Sequence, residues 1–277
     1  MRRVNELKIL ILTAATGGGH LKAAHTLQTY IQENTQDNEV VVADTLKEVS
    51  AILDKTCCDG YRFLARRTPR VFGRLYRASN SDTPLYSLVE RFNGAIGRKL
   101  LPLFETEKPD VVISTHPFAT EMVSHLKGRG RVRAPLLCLM TDYGPHRAWV
   151  APNVDAYVVA DDAMAVQMAS WGVPRKKIYA FGIPVPDLFF SKANRAELLT
   201  EFGLRPELPT VLFMAGSFGV TNILSIYKEL VQESFPFQII IITGRNKRLY
   251  RTFRKLVPRS PKITKLVFFT DRVADYM

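Results

Sequence analysis

A chain of 277 residues, 47% hydrophobic and 23% charged, has room for one large domain or two ordinary ones and enough apolar residues for a core. Lys plus Arg number 38 against 26 Asp plus Glu, a formal charge of +12, which calls for an anionic partner such as lipid headgroups, nucleic acid or a phosphorylated small molecule. No zinc-finger spacing, basic-zipper heptad or RNA-binding aromatic motif supports nucleic acid, and Cys57, Cys58 and Cys138 make neither a disulfide framework nor a metal array.

The N-terminus, MRRVNELKILILTAA, has the outline of a signal peptide. Its apolar run is only about eight residues and leads into glycines, so a buried strand is expected instead. Lys8 to Ala15 lacks alternation, as an inner parallel strand does. Gly17, Gly18 and Gly19 make the turn, and Leu21 to Glu33 is the next helix, with Ala23, Ala24, Leu27 and Ile31 facing inward. Glu39 to Asp44 is the second strand, which opens an α/β sheet.

Leu46 to Arg77 has a mostly helical composition broken at Pro69, and Thr83 to Leu101 is expected to be another helix. Strands follow at 109–115, 135–141 and 154–160, helices at 118–127 and 162–171, and a short last strand at 178–181. GIPVPDLFFSK, residues 182 to 192, is the expected hinge. The first domain is placed at residues 1–185 and the second at 186–277. The second repeats the pattern: a helix at 194–202, strands at 210–215, 237–242 and 264–269, and helices at 221–233 and 247–256. Three strands leave a bare sheet edge, which points to a shortened chain or a missing partner segment. No stretch reaches 18 apolar residues, so any membrane contact is expected to be peripheral.

Gly17, Gly18, Gly19 and His20 follow a strand and open a helix, where backbone can approach a ligand and unpaired amides offer positive potential. The turn is neither a P-loop nor a GxGxxG fingerprint. His20 can act as a base near neutral pH. Asp142, at a strand end beside Thr141, is the second candidate base, with a capping or turn role as its competitor. His116, Thr141, His146 and Trp149 also sit on segments leaving strand ends, where open sheets bind ligands. His146 could reach a lipid phosphate or glycerol, and Trp149 could anchor at headgroup level. His25 points away from His20, which disfavours a shared zinc, and His125 reads as a surface residue. In the second domain Gly216, Ser217 and Gly219 form another glycine turn suited to phosphates. Arg245 and Asn246, then Phe269 and Thr270, follow the next two strands. From Tyr61 to Leu100 nine Arg or Lys face two acids. Arg62, Arg66, Arg70, Arg74 and Arg77 recur at three or four residue steps with Phe72 among them, an amphipathic basic pattern suited to an anionic membrane surface, or else an ordinary surface helix.

GGGH, TDYGPHRAWV and GIPV together give the chain a resemblance to the diacylglycerol glucosyltransferase and monogalactosyldiacylglycerol synthase family from Ile9 to Met277. The cell-wall enzyme that adds N-acetylglucosamine to a lipid-linked precursor is a more distant likeness. The resemblance implies an α/β fold of two Rossmann-like lobes of the GT-B type, with the second lobe incomplete because the family continues past ADYM. It implies inverting transfer of a hexose from a UDP-sugar to the hydroxyl of diacylglycerol, with no cofactor or metal, peripherally at the cytoplasmic face of the membrane. It further implies an acceptor- and membrane-binding first lobe with His20 near acceptor and donor, and a donor lobe with Arg245 near the nucleotide and Phe269 and Thr270 around uracil. The alternatives are a related enzyme with another lipid acceptor and an inactive lipid-binding remnant.

Overall fold

The computed structural model describes residues 6–15, 18–35, 37–50, 68, 73, 80, 94–191, 193–214 and 222–277. The chain divides into two compact units, Met1–Val185 and Pro186–Met277. The basic segment with Arg62, Arg66, Arg70, Phe72, Arg74 and Arg77 lies outside the described residues, as do Gly17, Gly216, Ser217 and Gly219.

The first unit opens with β1 (Lys8–Thr13), KILILT, buried at every position after Lys8. Helix α1 (Gly18–Asn34) follows and buries Ala23 and Ala24. Strand β2 (Glu39–Asp44) leads into a short helix, α2 (Thr45–Val49), where the Asp44 carboxylate accepts from the Leu46 and Lys47 amides. This helix covers the described start of the helical stretch expected from Leu46 to Arg77. A helix expected to end at Leu101 instead tightens into a 3-10 turn at Gly97–Leu100, and α3 (Leu101–Glu107) continues beyond it. Pro102 sits in the first turn of α3, where the missing amide costs no hydrogen bond. That position explains why a proline-containing segment is helical here.

Strand β3 (Val111–Ser114), helix α4 (Pro117–Gly128) and strand β4 (Leu136–Leu139) come next. Strand β5 is only Ala156–Val158, shorter than the expected 154–160. Its flanks are taken up by the loop at its start, whose Ala151 amide donates to the Tyr157 hydroxyl at 3.0 Å. Helix α5 (Asp162–Ser170) and strand β6 (Ile178–Tyr179) complete the unit. The sheet order is β2-β1-β3-β4-β5-β6, all parallel. Alternate residues face opposite sides, as a strand's period of two requires. Leu10, Leu12, Val112 and Leu136 join Met122 and Leu126 on one face, and Ile9, Ile11, Ile113 and Leu139 join Ala23 and Ala24 on the other. Both faces are covered, which accounts for the near-continuous apolar runs.

In the second unit a 3-10 turn at Asp187–Phe190 occupies part of the expected hinge, and α6 (Arg195–Glu201) is capped by Asn194. Strand β7 (Thr210–Met214) precedes α7 (Ile223–Leu230), and β8 (Gln238–Ile242) is buried throughout. Helix α8 (Lys247–Leu256), β9 (Thr264–Val267) and a last turn of helix, α9 (Val273–Tyr276), follow. The three strands are parallel in the order β7-β8-β9. Ile239 and Ile241 face Tyr227, Leu249 and Phe253, while Ile240 and Ile242 face Leu199, Phe202 and Leu204. Among the described residues no helix is long and apolar enough to cross a membrane.

Candidate active site

The chain leaves β1 toward β2 on one side and returns at β3 on the other, so the C-terminal ends of β1 and β3 flank the point where the strand order reverses. Ligands bind open α/β sheets at such a point, because diverging connections leave a crevice there. His20 comes from the first turn of α1, Thr115 and His116 follow β3, and Thr141 and Asp142 follow β4. Residues 95 and 121 positions from His20 in sequence reach its ring.

His20 Nδ1 lies 2.9 Å from the Thr115 carbonyl oxygen and 2.7 Å from Thr141 Oγ1. A carbonyl only accepts, so Nδ1 carries the proton and the neutral ring keeps its lone pair on Nε2. Nε2 makes no hydrogen bond among the described residues. The Thr115 hydroxyl donates back to the His20 carbonyl at 3.1 Å, which ties the α1 start to the β3 end. Burial pushes the His20 imidazole below its usual pKa of 6.5, while the Asp142 charge and the Thr115 carbonyl pull the other way. The ring is therefore neutral at pH 7 and has a carboxylate nearby that favours its protonated form.

His116 meets the His20 ring edge-on, with centroids 4.6 Å apart. Its Nδ1 accepts from the Phe118 amide at 3.2 Å and caps α4. That bond puts its proton on Nε2, the opposite tautomer to His20. Burial, and then the neighbouring His20, hold its pKa well below 6.5. His146 is buried, and its Nδ1 caps a 3-10 turn by accepting from the Ala148 amide at 3.0 Å. Burial rules out direct exposure of His146 to a lipid phosphate.

Trp149 is 1% exposed and sits 5.9 Å from the His20 ring, so the expected headgroup anchor is a core residue. Its Nε1 donates to Asp142 Oδ2 at 3.0 Å. One Asp142 oxygen is thereby committed to the loop, the holding role weighed against that of a base. His125, expected at the surface, is half-buried against Gly94, where an added Cβ would strike its ring. Gly18 and Gly19 are exposed at the start of α1, and a Cβ on Gly19 would meet no protein atom within 4 Å. The chain itself does not need glycine there.

In the second unit Arg245 lies over the Phe269 ring, 4.8 Å from its centroid, and both are exposed. The Asn246 side chain caps α8 by accepting from the Leu249 amide at 3.0 Å, and Thr270 Oγ1 accepts from the Arg272 amide at the same distance. The two strand ends thus meet through Arg245 and Phe269, while Asn246 and Thr270 hold local turns. Sequence reasoning missed Thr115, whose carbonyl sets the His20 tautomer. Its signal was faint: a threonine ending a strand next to a histidine. A cavity of about 360 Å³ lined by Arg147, Trp171, Val173, Pro174 and Lys177 lies in the first unit, and His20 does not line it. Among the described residues no three metal-ligating side chains converge.

Residues 20–185 match the family model of monogalactosyldiacylglycerol (MGDG) synthase. The chain is similar to the processive diacylglycerol beta-glucosyltransferase of Bacillus mycoides (strain KBAB4), 31% identical over 277 residues, covering 96% of this chain and 68% of the relative. Its likeness to the enzyme of that description from Staphylococcus saprophyticus is 30% over 249 residues, covering 88% and 62%. The chain thus spans about two thirds of the length of these relatives. Among solved structures, Acinetobacter baumannii MurG matches with a TM-score of 0.55 and 13% identity, over 98% of this chain and 71% of that one. At that identity the likeness shows the fold, two Rossmann-like units of the GT-B type with the second smaller. With its family segment running from His20 itself to the end of the first unit, the chain belongs to the monogalactosyldiacylglycerol synthase family, UDP-sugar-dependent glycosyltransferases related to lipid-glycosylating enzymes.

Proposed function

We propose that the chain transfers a hexosyl group from a UDP-sugar to the hydroxyl of diacylglycerol with inversion, at the surface of an anionic membrane. The single observation that carries this reading is the tautomer of His20. Its Nδ1 proton is engaged by Thr115 and Thr141, and Nε2 is left with a lone pair at the mouth of the sheet. A neutral imidazole so oriented accepts the proton of an acceptor hydroxyl. As that proton moves to Nε2, the hydroxyl oxygen bonds to the anomeric carbon from the face opposite UDP. The bond from that carbon to the diphosphate oxygen breaks, and UDP leaves with the electron pair. The Asp142 carboxylate favours the imidazolium that forms. The open space beside Gly19 and the amides of the first α1 turn suit a negatively charged group.

In this reading the first unit takes the acceptor and the second the donor. Gly216, Ser217 and Gly219 receive the diphosphate, and Arg245, Asn246, Phe269 and Thr270 hold the nucleotide. The stacked Arg245 and Phe269 present a cation and a ring together, a surface suited to a phosphate and a base. His116 and His146 act through the positions of their loops, because both are buried. The Arg62 to Arg77 segment with Phe72 meets anionic lipid.

The test is turnover of UDP-glucose and UDP-galactose on vesicles containing diacylglycerol and phosphatidylglycerol, with wild type and His20→Ala. Wild-type glycolipid formation that the substitution lowers by about 10²- to 10⁴-fold is the expected result. Vesicle binding by folded wild type with no turnover would sink the reading and leave a lipid-binding protein.

A further inference from the structure

Between Gly244 and Thr270 the chain carries nine Lys or Arg and no Asp or Glu. Five of them, Lys247, Arg248, Arg251, Arg254 and Lys255, lie on α8 and are all exposed. At 3.6 residues per turn they fall within an arc of about 120°. Leu249 and Phe253 occupy the opposite side and are buried against β8 and Tyr227. The apolar side of α8 is therefore fully used by the core, and its outer face is purely cationic.

Such a face is costly to leave in water. Lys247 and Arg251, Arg251 and Lys255, Arg248 and Arg251, and Arg251 and Arg254 are like-charged neighbours at helical spacing, and each pair repels. Only the last turn gains from the helix dipole. Some cations elsewhere among the described residues have carboxylates beside them: Lys8 with Glu39 and Glu107, Lys127 with Asp155, Arg272 with Glu201. None of the five α8 cations forms an ion pair among the described residues. No described carboxylate supplies a countercharge to this face, which leaves it open to an anionic partner.

We propose that this outer face of α8 is a second, purely electrostatic docking surface for an anionic lipid bilayer, carried by the second unit. The choice of a bilayer rests on the lipid acceptor of the proposed function. It also rests on geometry: a straight helix face about 15 Å long presents its charges to a flat surface at one level. With no apolar residue left to insert, the contact lies on the headgroups and dissolves in salt, unlike an amphipathic helix that buries its side chains.

The experiment is sedimentation of the full chain with phosphatidylglycerol-containing vesicles and with pure phosphatidylcholine vesicles, at low and high salt. The variants are R251Q/R254Q/K255Q and the charge-conserving R251K/R254K/K255R, which leave Lys247 and the Arg245 turn intact. The expected result is wild-type partition that favours anionic vesicles, with its advantage over the neutral variant lost at high salt. The neutral variant should partition about 100-fold less, from about fivefold per cation removed, and the charge-conserving one like wild type. Equal binding by wild type and the neutral variant overturns the proposal, as does equal loss in both variants. Wild type that ignores anionic vesicles yet binds a single-stranded RNA homopolymer overturns it too. Sugar transfer to diacylglycerol in neutral detergent micelles is measured alongside. Its absence in wild type, with charge-dependent vesicle binding intact, would fail the proposed reaction while the docking surface stands.

Discussion

In the first unit the segments leaving β3 and β4 turn their polar groups inward. Ser114, Thr115, His116 and His146 are buried, and Thr115 and Thr141 converge on one nitrogen of His20. In the second unit the segments leaving β8 and β9 turn outward, with Arg245 and Phe269 exposed and α8 lined with cations that form no ion pair among the described residues. Both units use the same strand, turn and helix unit. The difference teaches that the unit itself carries no chemistry. Six strands covered on both faces provide a dry rim where a histidine's proton can be placed, because low dielectric strengthens each hydrogen bond there. Three strands leave a rim open to solvent, where a long cation and an aromatic ring stack in the open.

The comparison breaks most visibly at His20. His20→Ala should lower turnover by about 10²- to 10⁴-fold with little change in stability, because the ring is only partly buried. Arg245→Ala should act on the donor KM instead, and an initial-rate series over UDP-hexose separates the two. A His20→Ala enzyme of full kcat would remove His20 from the chemistry and leave Asp142, the second candidate base, in its place.

Next come the two cores. Trp149→Ala and Phe253→Ala each empty a site that is 1% or less exposed and should cost about 3–5 kcal/mol in denaturant unfolding. Trp149→Ala should also lower kcat in the fraction that remains folded, since it frees Asp142 beside His20. Phe253→Ala should not change kcat at saturating donor. An unchanged unfolding midpoint for either would contradict its burial.

The dry rim makes the first unit sensitive to acid. Burial lowers the folded-state pKa of His116 well below the unfolded value of about 6.5. Its neutral form is the folded one, so its contribution is fully present above pH 6.5 and is lost as pH falls from there toward the folded value. His116→Asn keeps an acceptor that can cap α4 and does not titrate. Thermal midpoints between pH 7.5 and 5.5 should fall in wild type and fall less in this variant. Parallel slopes would clear His116 of the effect.

Smaller again is Thr141→Val. It removes one of two partners of His20 Nδ1 and leaves the Thr115 carbonyl, so kcat should drop about 2- to 10-fold with the acceptor KM unchanged. A loss as large as that of His20→Ala would mean that Thr141 touches substrate. Smallest is Arg272→Ala in the second unit. Its pair with Glu201 is half exposed on both sides, and the thermal midpoint should stay within experimental scatter.

Much of the fold was legible because buried parallel strands announce themselves as apolar runs. KILILT, VVIS and QIIII stand out without any partner. Helix α8 was readable to the residue, since its charged and apolar positions alternate at helical spacing. Helix α3 was not, because Pro102 reads as a breaker until its place in the first turn is known. Strand β5 was overextended for a similar reason: Val154 and Val159 look like strand residues, but they are buried flanks of a three-residue strand. Of the candidate site, the position of His20 at the end of a strand and the start of a helix was legible from its glycine turn, whereas the burial of Trp149 and His146, which runs against a reach to lipid, was not. Aromatic and imidazole rings on a loop suit either a surface or a core, and local sequence does not choose between them.

The sequence by itself determined the class of fold, the family likeness and the charge of α8, because each is written in contiguous residues through period, motif and composition. Only the tertiary structure decided that Thr115 and Thr141 meet one nitrogen of His20, that Trp149 is core, and that His116 is held neutral. Those facts depend on residues about a hundred positions apart arriving at one rim. The proton on an imidazole goes where a carbonyl oxygen stands, and that position exists only once the sheet has formed.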